Sequence, residues 1–261
     1  TQKELAMTLA VTDLCHAYGT RQVLHNATFT AAAPGSLTAM IGPNAAGKST
    51  LFRAVAGMIR PAAGKIMLDG ADLRAMPARN RTRLIGFMPQ SFTSNAALTV
   101  FEVVMLARKQ LSGWTVARED MNAVAALLER MGIAHLAQAH VGEISGGQGQ
   151  MVSAAQALIR EPRVFLFDEP TSALDLRRQL ELMSLIRDET RARNVTSIVA
   201  LHDLNLAGRF ADEMLLVRQG QILAQGGPES VLADARVGET YGVGLDLIAN
   251  PKGGLHVSAY L

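Results

Sequence analysis

The sequence predicts an α/β fold wound around a mostly parallel sheet, with an antiparallel β-subdomain at the front and an inserted α-helical subdomain. Three observations carry this expectation. The apolar run over residues 37–41 is followed by a glycine-containing loop and then by a helical pattern over 49–57, with Leu51, Phe52 and Val55 on one side. Strand, loop, helix is the order that a phosphate-binding loop requires. Residues 164–167 and 197–201 are apolar runs of strand length separated by a helical stretch over about 176–191, the alternation expected of parallel strands joined by crossovers. Residues 100–139 place Val103, Val104 and Leu106, then Val124, Leu127, Leu128 and Met131, at the i, i+3, i+4, i+7 spacings of amphipathic helices.

Taken in order, residues 7–31 mix short apolar alternations such as Leu9 and Val11 with the turn residues Tyr18, Gly19 and Thr20, which predicts antiparallel strands. The parallel-sheet elements follow, interrupted by the helical subdomain over about 100–150. The tail from Gly238 reads as turn-rich, without legible chemistry. The 261 residues, 49% of them hydrophobic, suffice for one domain with an insertion, with boundaries at 7–240 and a short tail over 241–261.

A formal net charge of +2 is too small for the basic footprint of a dedicated nucleic-acid binder, so no nucleic-acid partner is expected. Cys15, the only cysteine, cannot form an intrachain disulfide, fits a reducing compartment, and reads as a small buried residue. No apolar run reaches about 18 residues, and the start TQKELAMTLAVTDL lacks a basic region followed by an apolar one. Any membrane role is expected to come through a partner.

Gly42-Pro43-Asn44-Ala45-Ala46-Gly47-Lys48-Ser49 fits the pattern G-x-x-x-x-G-K-[ST] between a strand and a helix. There the backbone amides can surround the β- and γ-phosphates, Lys48 can reach them as a point charge, and Ser49 can offer its hydroxyl to Mg²⁺. Residues 164–169, VFLFDE, form an apolar strand ending in two acids that can divide the work: Asp168 in the Mg²⁺ shell, Glu169 polarising the attacking water. Kinases, GTPases and helicases would fit these two motifs equally well. Ile144-Ser145-Gly146-Gly147-Gln148 discriminates, because a hydroxyl and two unhindered amides at a helix start suit a second γ-phosphate contact.

The whole resembles the ABC (ATP-binding cassette) ATPase family from Leu9 to about Leu232. Residues 42–50, ending in Thr50, look like its Walker A loop, Gln90 its Q-loop, Ser145 to Gln148 its signature, and residues 164–169 its Walker B strand. Ser172-Ala173-Leu174-Asp175 looks like the D-loop and His202 the H-loop, all in the family's order. The resemblance implies a P-loop NTPase cassette that binds ATP with Mg²⁺. Tyr18 would then stack on adenine, Gln90 would touch Mg²⁺ or the lytic water, and His202 would reach the γ-phosphate. It also implies a homodimer packed head to tail, in which the signature of one copy completes the site of the other.

Residues 201–207, LHDLNLA, with 221–226, 228–232 and the tail containing Tyr241-Gly242-Val243, look most like importer ATPases for iron chelates, haem or cobalamin. That implies transmembrane permease subunits facing residues 91–98, a periplasmic or surface substrate-binding protein acting indirectly, and a peripheral place on the cytoplasmic face of the inner membrane. The alternatives are an importer ATPase for another small solute and a soluble ABC ATPase in cofactor or Fe-S assembly. Two departures stand out. Ala45 occupies a position where the family commonly has glycine, which is tolerable only with φ below zero. Gly149 and Met151 replace the usual residues after the signature, the arginine among them, which predicts a looser signature helix.

Overall fold

In the computed structural model, which describes residues 9–91, 97–110, 113, 115–249 and 255–261, the chain forms three sheets. A four-stranded antiparallel sheet runs in the order β2-β1-β4-β5, from β1 (Leu9–Tyr18), β2 (Arg21–Thr30), β4 (Ala63–Leu68) and β5 (Ala71–Asp72). The six-stranded sheet has the order β10-β9-β3-β8-β7-β6, from β3 (Leu37–Ile41), β6 (Ile85–Met88), β7 (Val164–Asp168), β8 (Thr196–Ala200), β9 (Glu213–Arg218) and β10 (Gln221–Gly226). Its ladders are parallel except for the β9-β10 hairpin.

A parallel sheet must be covered on both faces, and the strand sequences show how. Every residue of β3, β7 and β8 is buried. Alternate residues serve opposite cores: Leu37, Ala39, Ile41, Phe165 and Phe167 join one cluster, while Met40, Val164 and Leu166 join the other. The second cluster packs the antiparallel sheet and helix α1 (Lys48–Val55) against the parallel sheet. The first cluster takes the helical subdomain, α3 (Val100–Lys109), α4 (Arg118–Arg130) and α5 (Gly146–Leu158), along with α6 (Leu176–Ala192) and α7 (Leu204–Phe210). The short basic helix α2 (Ala78–Leu84) precedes β6 and buries none of its residues.

The helical subdomain is pinned at its edges by polar contacts. Thr99 and Glu102 form a capping box at the start of α3. Asp120 accepts from Arg108 Nε at 2.7 Å and Lys109 Nζ at 2.8 Å, and these bonds, Lys109 first, hold its carboxyl far below the ordinary aspartate range.

Three expectations are corrected here. The stretch from Gly238 is not simply turn-rich: it completes α9 (Ala235–Tyr241), which follows α8 (Pro228–Leu232), and continues into a hairpin of β11 (Gly244–Ala249) and β12 (Leu255–Tyr260) packed on α7. The signature helix is not interrupted at Gly149. α5 is continuous, the Gly149 amide bonds Ser145 O at 2.8 Å, and both Gly149 and Met151 are buried. Tertiary packing offsets the ~1 kcal/mol propensity cost of the glycine. Cys15 is half-buried rather than buried, and its thiol donates to Asn26 Oδ1 at 2.9 Å. Of the segment expected to face a permease, residues 92–96 lie outside the described residues.

Candidate functional site

Parallel strands in register deliver their carboxyl ends to one edge of the sheet, and the chemistry-bearing residues gather there. β3 ends at Ile41 and turns through Gly42, whose φ is 147°. An added Cβ there would lie 2.2 Å from Val217 O of β9, so the close approach excludes any side chain. Gly47, at φ 106°, occupies the N-cap of α1 without a side-chain cap, leaving the first amides of that helix to a ligand. The loop between is closed by Ala46 N donating to Pro43 O at 3.3 Å and by Gly220 N donating to Ala46 O at 2.7 Å.

Lys48 folds back across the loop, its Nζ donating to Gly42 O at 2.6 Å and Pro43 O at 3.1 Å. The residue is 4% exposed, and burial lowers its pKa against the opposing pull of Glu169 and Asp168. Ser49 Oγ donates to Asp168 Oδ1 at 3.0 Å, bringing the hydroxyl of α1 to the end of β7. Burial, with Glu169 beside it, raises the Asp168 carboxyl above the ordinary aspartate value, while the Ser49 bond and the charges of Arg53 and Lys48 oppose the shift. A hydroxyl and a buried carboxylate, both oxygen donors and side by side, fit a hard divalent cation such as Mg²⁺.

Both oxygens of Glu169 are engaged. Gln90 Nε2, from the residues after β6, donates to Oε2 at 2.6 Å, and His202 Nε2, from the end of β8, lies 2.5 Å from Oε1. Gln90, Glu169 and His202, drawn from three separate stretches of sequence, therefore converge on one carboxylate. Glu169 itself has φ 52°, a left-handed conformation uncommon outside glycine. Its carbonyl is held there by Gln150 Nε2 and Ser172 Oγ, each at 3.1 Å.

The remaining expected site residues are placed differently. Ser145 caps α5 through a capping box, accepting from Gln148 N at 3.3 Å while Gln148 Oε1 accepts from Ser145 N at 2.8 Å. Among the described residues no hydrogen bond joins 145–148 to the phosphate loop; instead this start leans on residues 172–175. A Cβ at Gly147 would lie 2.8 Å from Ala173 O, whereas one at Gly146 meets nothing within 4 Å. Tyr18 ends β1, half-exposed, with its ring edge-on to His16 at 4.7 Å. Ala45 sits at φ 61°, which overturns the expectation of a negative value: the loop bends through the left-handed region although the residue is not glycine. Two contacts escaped the sequence reading. Gln150 Oε1 accepts from Ala173 N at 2.9 Å, so this side chain ties α5 to both the Glu169 carbonyl and the 172–175 loop. Gly42 N donates to the phenolic oxygen of Tyr241 at 2.8 Å, across 199 positions of sequence.

Known proteins resemble this chain over most of its length. Residues 24–172 match the family model described as ABC transporter. A ferric enterobactin transport ATP-binding protein of Escherichia coli is 36% identical over 224 residues, 84% of this chain and 82% of that protein. A hemin import ATP-binding protein of Bordetella avium is 34% identical over 253 residues, 94% and 96% of the two chains. A phosphonates import ATP-binding protein of Nitratidesulfovibrio vulgaris is 36% identical over 231 residues, 85% and 86%. Among solved structures, a putative metal-chelate type ABC transporter in an inward-facing conformation superposes with TM-score 0.81 and 26% identity over 98% of both chains.

Two outcomes follow from the strain and the burial. An L-alanine in the left-handed region costs about 1–2 kcal/mol, and glycine returns about 0.4–1 kcal/mol of that through the unfolded chain. Ala45→Gly is therefore expected to stabilise the protein by roughly 0.5–1 kcal/mol in denaturant unfolding; a less stable variant would contradict the strained loop. For Asp168 the folded carboxyl titrates above its ordinary value of 3.8, so the folded state binds the extra proton. Its contribution to stability is present at low pH and is lost as the pH rises from 3.8 through the raised value. Asp168→Asn should flatten that decline and be at least as stable as the parent at neutral pH. Unfolding curves across the acid range check this, and an unchanged slope counts against it.

Proposed function

The chain belongs to the ABC transporter family of ATP-binding proteins and is an ATPase, and from that premise we propose that it powers an importer for an iron chelate, haem or cobalamin. The observation that carries the catalytic part is the convergence of Lys48, the Ser49–Asp168 pair and the Gln90–Glu169–His202 group at one sheet edge. The cargo class is supported by the enterobactin and hemin relatives. The phosphonates relative, equally similar in sequence, favours a second reading in which the cargo is another small solute.

In this reading the unpaired amides after Gly47 and the Lys48 ammonium hold the β- and γ-phosphates of ATP. Ser49 and Asp168, with Gln90 nearby, hold Mg²⁺, which when bound neutralises developing charge on the phosphates. Glu169 orients and polarises the attacking water as general base, and His202 reaches the γ-phosphate from the neighbouring strand end. Tyr18, the exposed aromatic at the end of β1, stacks on adenine. The Ser145 hydroxyl and the amides of Gly146 and Gly147 belong to a head-to-tail homodimer, where they meet the γ-phosphate held by the second copy. ATP binding closes that dimer, and hydrolysis reopens it.

The groove beside Gln90 fits the role of a permease contact. A cavity of about 410 Å³ there is lined by Phe87, Pro89, Ser91, Val103, Leu106 and Arg160, among others, between β6, α3 and α5. No helix among the described residues is long and apolar enough to cross a membrane. By analogy with the import relatives, the protein in this reading works from the cytoplasmic face of the cell membrane, attached through permease subunits that a substrate-binding protein loads from the other side.

Glu169→Gln keeps the shape and the Gln90 contact but loses basicity. Steady-state hydrolysis should fall by roughly two orders of magnitude or more, while ATP still binds and the closed dimer accumulates on size-exclusion chromatography with MgATP. Turnover near the parent rate, with no trapped dimer, removes Glu169 from the catalytic role. For the second contact, Gly146→Asp is a cleaner probe than Gly147→Asp, because a side chain at 147 would strike Ala173 in its own chain. A carboxylate at 146 opposes a partner's phosphate by like-charge repulsion. It should abolish ATP-driven dimerisation and most hydrolysis while leaving ATP binding to the single chain within about two-fold, since uniform loss of affinity would instead signal damage to the local loop.

A further inference from the structure

We propose that Tyr241 is a positioning residue for the nucleotide site: its phenolic oxygen accepts the Gly42 amide and fixes the first residue of the phosphate loop, so that the C-terminal helix and hairpin brace the loop from outside the parallel sheet. This rests on the reading of residues 42–50 as the loop that holds nucleotide phosphates.

Gly42 is the point at which the chain leaves the ladder. The last paired residue of β3 is Ile41, opposite Leu216, and Gly42 turns immediately against the Val217 carbonyl with no room for a Cβ. A buried amide leaving a sheet needs an acceptor. Tyr241 supplies it at 2.8 Å. Lys48 meanwhile draws on the carbonyl of the same residue, at 2.6 Å. The Gly42 peptide groups therefore lie between the loop's own cation and a phenol from the far end of the sequence.

The phenol is held by structure, not by chance contact. Tyr241 is the last residue of α9, whose Val237 is fully buried in the main core. Gly242 then adopts a left-handed C-cap at φ 70°, and Val243 N donates back to Gly238 O at 3.1 Å, which sharply turns the chain into β11. Burial pushes the phenol up to about 12, against the pull of the Gly42 bond, so it stays neutral and protonated. The hairpin adds a second grip. Val257 N donates to Asn205 Oδ1 at 2.7 Å, and Asn205 Nδ2 donates to Val257 O at 3.1 Å, so an asparagine side chain pairs with β12 as a strand would. Asn205 lies in the first turn of α7, which Asp203 caps directly after His202. One C-terminal unit thus holds both the start of the phosphate loop and the helix that follows His202.

The alternative is that Tyr241 merely fills space, its hydroxyl being incidental. Tyr241→Phe in the full chain separates the two, because the ring stays and only the acceptor goes. An unpaired buried amide should loosen the loop in the ground and transition states alike, so the variant should bind MgATP and MgADP about ten-fold more weakly, with kcat within about two-fold of the parent. Backbone hydrogen exchange over residues 37–46 should accelerate in the variant without nucleotide. Affinity and exchange equal to the parent's would overturn the brace. Should the variant fail to fold, the parent decides alone: the Gly42 amide must exchange slowly without nucleotide while those of Asn44 and Ala45 exchange fast, and equal rates overturn the proposal. A parent protein that binds neither nucleotide overturns instead the reading of the loop on which the proposal rests.

Discussion

An ammonium group and two carboxylates buried at the same edge of a parallel sheet set the terms for the rest of this structure. Lys48 is 4% exposed, Asp168 1% and Glu169 8%. Each alone would be costly to desolvate, by several kcal/mol per ion even after relaxation. The fold gathers them so that each moderates the others. β3 and its loop carry Lys48 and Ser49 to the edge, and β7, two strands away across β8, carries Asp168 and Glu169 to the same edge because the ladders are parallel and in register. The balance is incomplete: burial still lowers Lys48 and raises Asp168. Such a residue of uncompensated desolvation is what a site for phosphates and a divalent cation needs, since the ligand's own charges supply the missing partners.

The backbone around these charges is bent to suit them. Glu169 and Ala45 both lie in the left-handed region without being glycine, at φ 52° and 61°. Conformations of this kind persist only where neighbouring groups over-determine them. At Glu169 the over-determination is visible, because Gln150 and Ser172 both bond its carbonyl while Gln90 and His202 bond its carboxylate. At Ala45 it is the closure of the loop on either side, through Pro43 O and the Gly220 amide, that forces the turn. An alanine tolerates this better than any β-branched residue would, but still at a cost that glycine avoids.

Much of this was legible in the sequence, for identifiable reasons. The strands β3, β7 and β8 are continuous apolar runs because both faces of a parallel sheet are buried, and the loop and the acidic strand end are read from residue type and order alone. Gln90 and His202 were singled out only through the family resemblance; their convergence on Glu169 depends on side-chain directions that spacing does not encode. Gln150 and Tyr241 were missed in their contacts because each acts on a backbone group, and backbone acceptors carry no sequence signal. At Ala45 residue type argues for a negative φ, and loop closure decides for a positive one. The C-terminal hairpin escaped because its two strands pair with each other in a small sheet of their own, apart from the parallel sheet, and meet α7 through the side chain of Asn205.

The two helix starts that face phosphates in the proposed cycle differ in how far they satisfy themselves. α1 begins at Gly47 with no side chain to cap it, so its leading amides lack partners until a ligand supplies them. α5 begins with a reciprocal pair in which Ser145 takes the Gln148 amide and Gln148 takes that of Ser145. Only Gly146 and Gly147 are left with amides to give. The first start therefore gains most from a ligand, and the second is stable without one and adds a smaller increment when a phosphate is presented to it. A site assembled from both would fill α1 first and draw α5 in afterwards, which is the order required if nucleotide binding to one chain is to drive the approach of another.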